Sequence, residues 1–221
     1  MKTIGYIKTD LPEKFGLPRQ SGIVEELKGT IIFEPPYNVR EAFEGIEEFT
    51  HLWVLWEFSE NIREEFSPTV RPPKLGGDVR KGVFATRSPF RPNPIGLSCV
   101  RLDSVEHTKA HGTVLHISGV DMMDGTPVYD IKPYIAYADS RPDASMSFAG
   151  EHSGDSSKVE FPQELLERIP KEKRTALKKL LAERPIPAYK HDSERIYGLS
   201  YAGFNIKFRA DESTIYVTDV E

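Results

Sequence analysis

At 221 residues, 38% hydrophobic and 29% charged, the chain is long enough for one domain with a sizeable core and a small second one. No apolar run approaches the ~20 residues of a membrane-spanning helix, the opening MKTIGYIKTD reads as no signal peptide, and the single cysteine, Cys99, excludes an intramolecular disulfide or a multi-cysteine zinc site. A formal net charge of −5 is not that of a general nucleic-acid binder, and a cytoplasmic protein fits these features best.

Residues 3–140 read as mostly β. Apolar or alternating runs at 3–9, 29–35, 51–59, 82–87, 97–106 and 111–120 are rich in Val, Ile, Thr and aromatics, as half-buried strands are. Leu102 and Val105 break the alternation and predict a bulge near Asp103–Ser104. A short helix is predicted over 39–46. Many strands with no repeated strand–helix alternation argue for a closed or nearly closed barrel, which removes sheet edges. Residues 139–162, rich in Ser, Gly, Asp and Pro, read as a linker or long loop. Helices follow at 163–169 and 171–184, with Pro170 expected at the first position of the second and Leu177, Leu180 and Leu181 on its apolar side. The chain ends in three strand-like runs, two of them joined by a short hairpin loop at 211–213. The fold expected is mainly β: a barrel over 1–140 and a small α+β domain over 141–221.

Charge is unevenly placed. Seven basic residues between 68 and 101 stand against one acid, Asp78, and seven between 171 and 190 against Glu172 and Glu183. Such regions can serve a polyanion, but charge runs are usually solvated faces, so composition alone favours an unevenly charged surface.

Three segments carry candidate chemistry. In GVFATRSPFRPNPIGLS (82–98), Pro89, Pro92 and Pro94 stiffen a loop that bears Arg87, Arg91 and Asn93. Arginine clamps carboxylate or phosphate through paired hydrogen bonds, and proline lowers the entropy cost of holding it ready. A rigid connector whose arginines pair with the Glu-rich segment accounts for the loop equally well. In VDMMDGTPVYDIKPY (120–134), Asp121, Asp124 and Asp130 lie on or beside a DGTP turn, followed by Lys132 and Tyr134. These carboxylates could hold ribose hydroxyls or a cation, do acid–base work, or only shape the turn. In LPRQSG (17–22), Arg19 and Gln20 occupy a short polar loop. His107, His111 and His116 lack metal-ligand spacing and an evident carboxylate partner, so no metal site is expected. Trp53 and Trp56 suit core or interface packing better than base stacking. No dinucleotide-binding, P-loop or nucleophile-elbow signature is present.

GVFATRSPFRPNPIGLS together with DGTPVYDIKPY resembles the TsaA-like (TrmO, formerly YaeB) family. PRQSG, FTHLW (49–53), RPPKLGG (71–77), SRPDAS (140–145) and RPIPAYK (184–190) match in the same order. The resemblance implies a non-Rossmann, β-barrel methyltransferase that uses S-adenosylmethionine. Its implied substrate is tRNA, not DNA, methylated on N6 of N6-threonylcarbamoyladenosine next to the anticodon (position 37) of threonine tRNA. A homodimer with the cofactor site near the subunit interface is also implied. The cofactor residues carried over are Arg19, Gln20 and Ser21, then Glu60 and Asn61, then Arg87 and Leu97, then the turn Asp121, Met122, Met123 and Asp124. The chain departs from the family pattern at Ser21 and Glu60. In this reading Arg91 and Asn93 meet RNA phosphate or the modified base, and Lys132, Lys173, Arg174 and Lys178 are RNA contacts. Asp121 or Asp124 takes the proton if a base is needed. Two rivals remain: a noncatalytic barrel that binds RNA or a nucleotide, and a methyltransferase of the same fold with another acceptor.

Overall fold

A computed structural model describes residues 1–62, 65–72, 75, 79–150, 156–186 and 194–221. Parts of the RPPKLGG and RPIPAYK motifs, with Lys74, Asp78 and Lys190, lie outside the described residues.

The strands in chain order begin with β1 (Gly5–Thr9), β2 (Lys28–Phe33), β3 (His51–Glu57), β4 (Thr69–Val70) and β5 (Lys81–Gly82). β6 (Ile95–Thr108), β7 (Gly112–Ser118) and β8 (Pro127–Pro133) follow. Six of them close into a barrel in the order β1-β2-β7-β6-β3-β8, with β8 returning to β1, and every pair is antiparallel. Period-2 alternation explains the closure: Leu52, Val54 and Trp56 on β3 and Ser98, Val100 and Leu102 on β6 turn inward, and their neighbours turn out. Ile7, Ile31, Leu115, Ile117 and Val128 complete the barrel core. The expected bulge is present, as a register shift between Leu102 and Ser104. Asp103, displaced there, accepts hydrogen bonds from Ser118 at 3.0 Å and Lys28 at 2.8 Å.

Four local expectations are corrected. The helix over 39–46 is two 3₁₀ turns, Arg40–Phe43 and Ile46–Glu48, separated by Gly45 at φ +83°; only Phe43 is buried in them, too little to hold a longer helix. The run 82–87 is no barrel strand. Among the described residues Lys81–Gly82 pairs only with Thr69–Val70, and Val83–Ala85 is a 3₁₀ turn whose carbonyl at Val83 accepts the Thr86 N–H and hydroxyl. The sixth barrel strand is β8, within the segment read above only as a turn with carboxylates. Its prolines stand at its two ends, where a missing N–H interrupts the ladder least. A further strand, β9 (Lys158–Glu160), lies inside the expected linker.

Beyond a single helical turn, α1 (Ala136–Asp139), come α2 (Gln163–Leu166) and α3 (Lys171–Ala182). Pro170 is the residue that caps α3 (φ −51°, ψ 137°), one place before its expected position. β10 (Tyr197–Tyr201), β11 (Phe204–Ala210) and β12 (Thr214–Val220) form a sheet in the order β10-β11-β12-β9, with β9 parallel to β12. α3 buries Ala176, Leu177, Leu180 and Leu181, which join the barrel and sheet residues in one apolar cluster. The two halves are also tied by the Lys173–Asp10 ion pair and by the Ala202 N–H donating to the Asp10 carbonyl at 2.9 Å. Among the described residues no helix is long and apolar enough to cross a membrane.

Candidate active site

The site is built around one hydrogen-bonded line that starts in the barrel core. Trp56 on β3 lies opposite Gly96 on β6, and its indole presses against that glycine so closely that a Cβ there would stand 2.1 Å from the ring. The indole N–H donates to Ser98 Oγ at 2.9 Å, and Ser98 Oγ lies 2.6 Å from Asp121 Oδ1. An indole N–H can only donate, so the single proton of the fully buried Ser98 hydroxyl is directed at Asp121.

The loop after Leu17 closes over the same carboxylate. The Gly22 N–H donates to the Gly119 carbonyl at 2.9 Å, Ser21 Oγ accepts the Cys99 N–H at 3.1 Å, and the Ser21 N–H reaches the Asp121 carboxylate. Arg87 donates to Gln20 Oε1. Burial pushes Asp121 up to about 6; the Ser98 hydroxyl, the backbone N–H groups of Asp121 and Ser21, and the Arg87 charge pull the other way. A carboxyl in that position changes charge near neutral pH, which suits proton transfer.

Gln20, Ser21, Arg87 and Asp121, expected from three separate motifs, thus meet. Arg19 is exposed beside them and lines a small cavity with Lys14, Phe15 and Arg184. Glu60 and Asn61 lie on a 3₁₀ turn that docks on the proline loop through the Phe58 N–H and the Pro94 carbonyl, 2.8 Å; the Glu60 carbonyl accepts Lys14. Leu97 is 57% exposed on the outward side of β6, opposite Leu55.

Other expected residues are placed elsewhere. Asp124 turns from Asp121 and accepts the Thr9 N–H at 3.0 Å, with Lys8 at 3.5 Å. Met122 is fully buried in the core, and the Met123 carbonyl accepts from Thr126. Arg91 donates to the carbonyls of Val83 (3.1 Å) and Thr86 (2.8 Å), locking its own loop. The side chain of Asn93 is exposed, and its carbonyl accepts the Ile95 N–H at 2.8 Å. Lys132 pairs with Asp130, and Lys173 with Asp10. Arg174 caps the carbonyls of Ile169 and Glu167, while Lys178 is exposed on α3. His116 does have a carboxylate partner, Glu106, at 2.8 Å; among the described residues no group of three or more His, Cys, Asp and Glu could hold a metal.

Sequence reasoning missed Ser98 and the polar role of Trp56. The signal was available: Ser98 is the one hydroxyl at an inward position of β6 between Gly96, Val100 and Leu102, and a buried hydroxyl needs a partner.

Comparison with known proteins shows which family the chain belongs to. Residues 6–140 match the family model described as tRNA-methyltransferase O N-terminal domain, and residues 155–221 match the TrmO C-terminal domain. The chain is 40% identical to the Escherichia coli K12 protein named tRNA (adenine(37)-N6)-methyltransferase, over 99% of this chain and 96% of that one. It is 39% identical, over 89% and 86%, to a Pseudomonas aeruginosa protein, RcsF, described as a candidate S-adenosylmethionine-dependent methyltransferase. A crystal structure of TrmO from Pseudomonas aeruginosa superposes with a TM-score of 0.79 at 33% identity, over all of this chain and 96% of the other. The chain belongs to the TrmO family.

Proposed function

We propose that this chain methylates N6 of adenine 37 in tRNA with S-adenosylmethionine as methyl source, and that its acceptor is N6-threonylcarbamoyladenosine in threonine tRNA. The observation that carries the reading is the convergence of Arg87, Gln20, Ser21 and Ser98 around the titratable Asp121, in a chain of the TrmO family. The donor set fits the cofactor. Arg87 and Gln20 suit an α-carboxylate and Leu97 offers an apolar surface to a purine, while Asp121 is kept for the acceptor nitrogen. S-adenosylmethionine, when bound, supplies a methyl group carried on an electrophilic sulfonium.

The chain's own part is positioning and proton management. The hydrogen bonds from Ser98 and Ser21 hold Asp121 in one place, so that the acceptor nitrogen meets a fixed carboxylate. Transfer would exchange the sulfonium C–S bond for a C–N bond, and Asp121 would take the proton that the acceptor nitrogen gives up. The threonylcarbamoyl group makes the N–H more acidic than that of ordinary adenine, so a base with a pKa about 6 suffices.

A homodimer and a cytoplasmic setting complete the proposal. The outward side of β6 supports the dimer, since Ile95 and Leu97 are exposed there beside Leu55 of β3. The test is direct. Threonylcarbamoylated tRNA lacking the N6 methyl is incubated with the protein and S-adenosylmethionine, then digested to nucleosides and weighed, beside unmodified tRNA. A methyl on the threonylcarbamoylated base alone is expected. Cofactor binding without transfer points to another acceptor, and no cofactor binding points to a noncatalytic RNA- or nucleotide-binding barrel.

A further inference from the structure

The arm between β3 and β6 carries a feature that the transfer chemistry does not use. Phe66 and Phe84 are 56% and 70% exposed, yet their rings stack on one another, with centroids 6.2 Å apart and planes at 25°. Large exposed rings are costly to leave in water, and a stacked pair presents a flat apolar face. The guanidinium of Arg91 lies 5.3 Å from the Phe84 centroid and is held by the carbonyls of Val83 and Thr86. A cation so placed strengthens a ring's stacking surface and fixes its orientation. The Val83 N–H donates to the Pro68 carbonyl at 2.9 Å, which joins the two segments that bear the rings.

The surroundings are basic. Between 65 and 94 the sequence holds six basic residues against Glu65 and Asp78. Arg71 and Arg80 are exposed on the β4–β5 ribbon or beside it. A flat aromatic face with a guanidinium against one ring, in a basic stretch of chain, is the chemistry that binds unpaired bases of single-stranded nucleic acid. Its place is suitable: Phe84 is three residues before Arg87, which contacts Gln20 beside Asp121.

We propose that Phe66 and Phe84, backed by Arg91, form a stacking platform for an unpaired base of the tRNA anticodon loop near the acceptor adenine. This rests on the tRNA reading above and adds to it a specific surface. Arg91 then contributes through the ring that it supports, while Arg71 and Arg80 supply charge to the RNA backbone.

The experiment measures binding of the full chain to a threonine anticodon stem-loop RNA with 2-aminopurine beside the acceptor adenine. Affinity comes from titration, and stacking from 2-aminopurine quenching. Phe84→Ala and Phe66→Ala should each weaken RNA binding about tenfold and relieve the quenching, Phe84→Trp should retain both, and S-adenosylmethionine affinity and oligomeric state should not change. RNA binding by Phe84→Ala equal to that of the parent overturns the platform and leaves the tRNA reading intact. A loss of cofactor affinity or of subunit association in step with RNA affinity also overturns it, because the rings would then serve packing or a subunit contact. A parent protein that does not bind the RNA removes both the platform and the tRNA reading.

Discussion

Ser98 Oγ stands 2.6 Å from Asp121 Oδ1, and its proton has only one direction to go because the Trp56 indole already donates to the same oxygen. That bond favours the charged carboxylate against the burial that opposes it. Ser98→Ala therefore raises the Asp121 pKa further, by about one unit for a bond to a charged group. The expected outcome is an acid limb of the kcat/KM–pH profile displaced to higher pH by that amount, with the alkaline side unchanged. A uniform loss at all pH values would mean that Ser98 acts only through packing.

Asp121 should trade stability for function. Its folded pKa, about 6, is above the ordinary 3.8, so its contribution to stability is fully present below about pH 4 and is lost as pH rises through 6. Asp121→Asn removes the buried charge and should stabilise the fold at pH 7.5 by about 2 kcal/mol, discounted for the surface the residue keeps. The gain should vanish near pH 4, and methyl transfer should fall by about 10²-fold or more. Thermal unfolding at both pH values checks the first part. A variant destabilised at pH 7.5 would count against the buried-charge account.

The two aspartates of the turn should separate by experiment. Asp124 holds Thr9 and Lys8, and its backbone N–H donates to the Leu11 carbonyl at 2.8 Å, all of them parts of the barrel's first strand and the loop after it. Asp124→Ala should cost about 1 kcal/mol of stability and leave S-adenosylmethionine affinity within about twofold. Arg87→Ala should weaken that affinity about tenfold or more, as loss of a charge-assisted contact does, with little change in melting temperature because its side chain is exposed. Calorimetric titration of both variants decides between the two roles.

Much of this was legible in the sequence, for a physical reason. Alternating strands write their inward faces directly: the runs at 204–210 and 214–220 coincide with β11 and β12 end to end. The bulge at Asp103 was visible as a break in that pattern. β8 was not, since its flanking prolines and polar Asp130 and Lys132 resemble a turn, and only ladder partners on β3 and β1 make it a strand. The meeting of Gln20, Arg87 and Asp121 spans about a hundred residues of chain, which no local period encodes; the motifs marked the residues but not their contacts. Arg91 shows the reverse limit. Its charge suggested a ligand, whereas two neighbouring carbonyls already hold it.

The outward side of β6 provides the last prediction. Ile95 is 37% exposed and pairs across the ladder with Glu57, so an acidic side chain there is solvated in a lone chain and meets a like charge nearby. At a subunit interface the same side chain would be buried without a partner, which costs several kcal/mol. Ile95→Glu should thus convert a dimer to a monomer in sedimentation at micromolar concentration while changing the monomer's unfolding midpoint little. If the cofactor site is completed near that interface, S-adenosylmethionine affinity should fall together with dimer content and recover as protein concentration rises. A parent chain that sediments as a monomer, or an Ile95→Glu variant that stays dimeric, would place the subunit contact on another face or remove it.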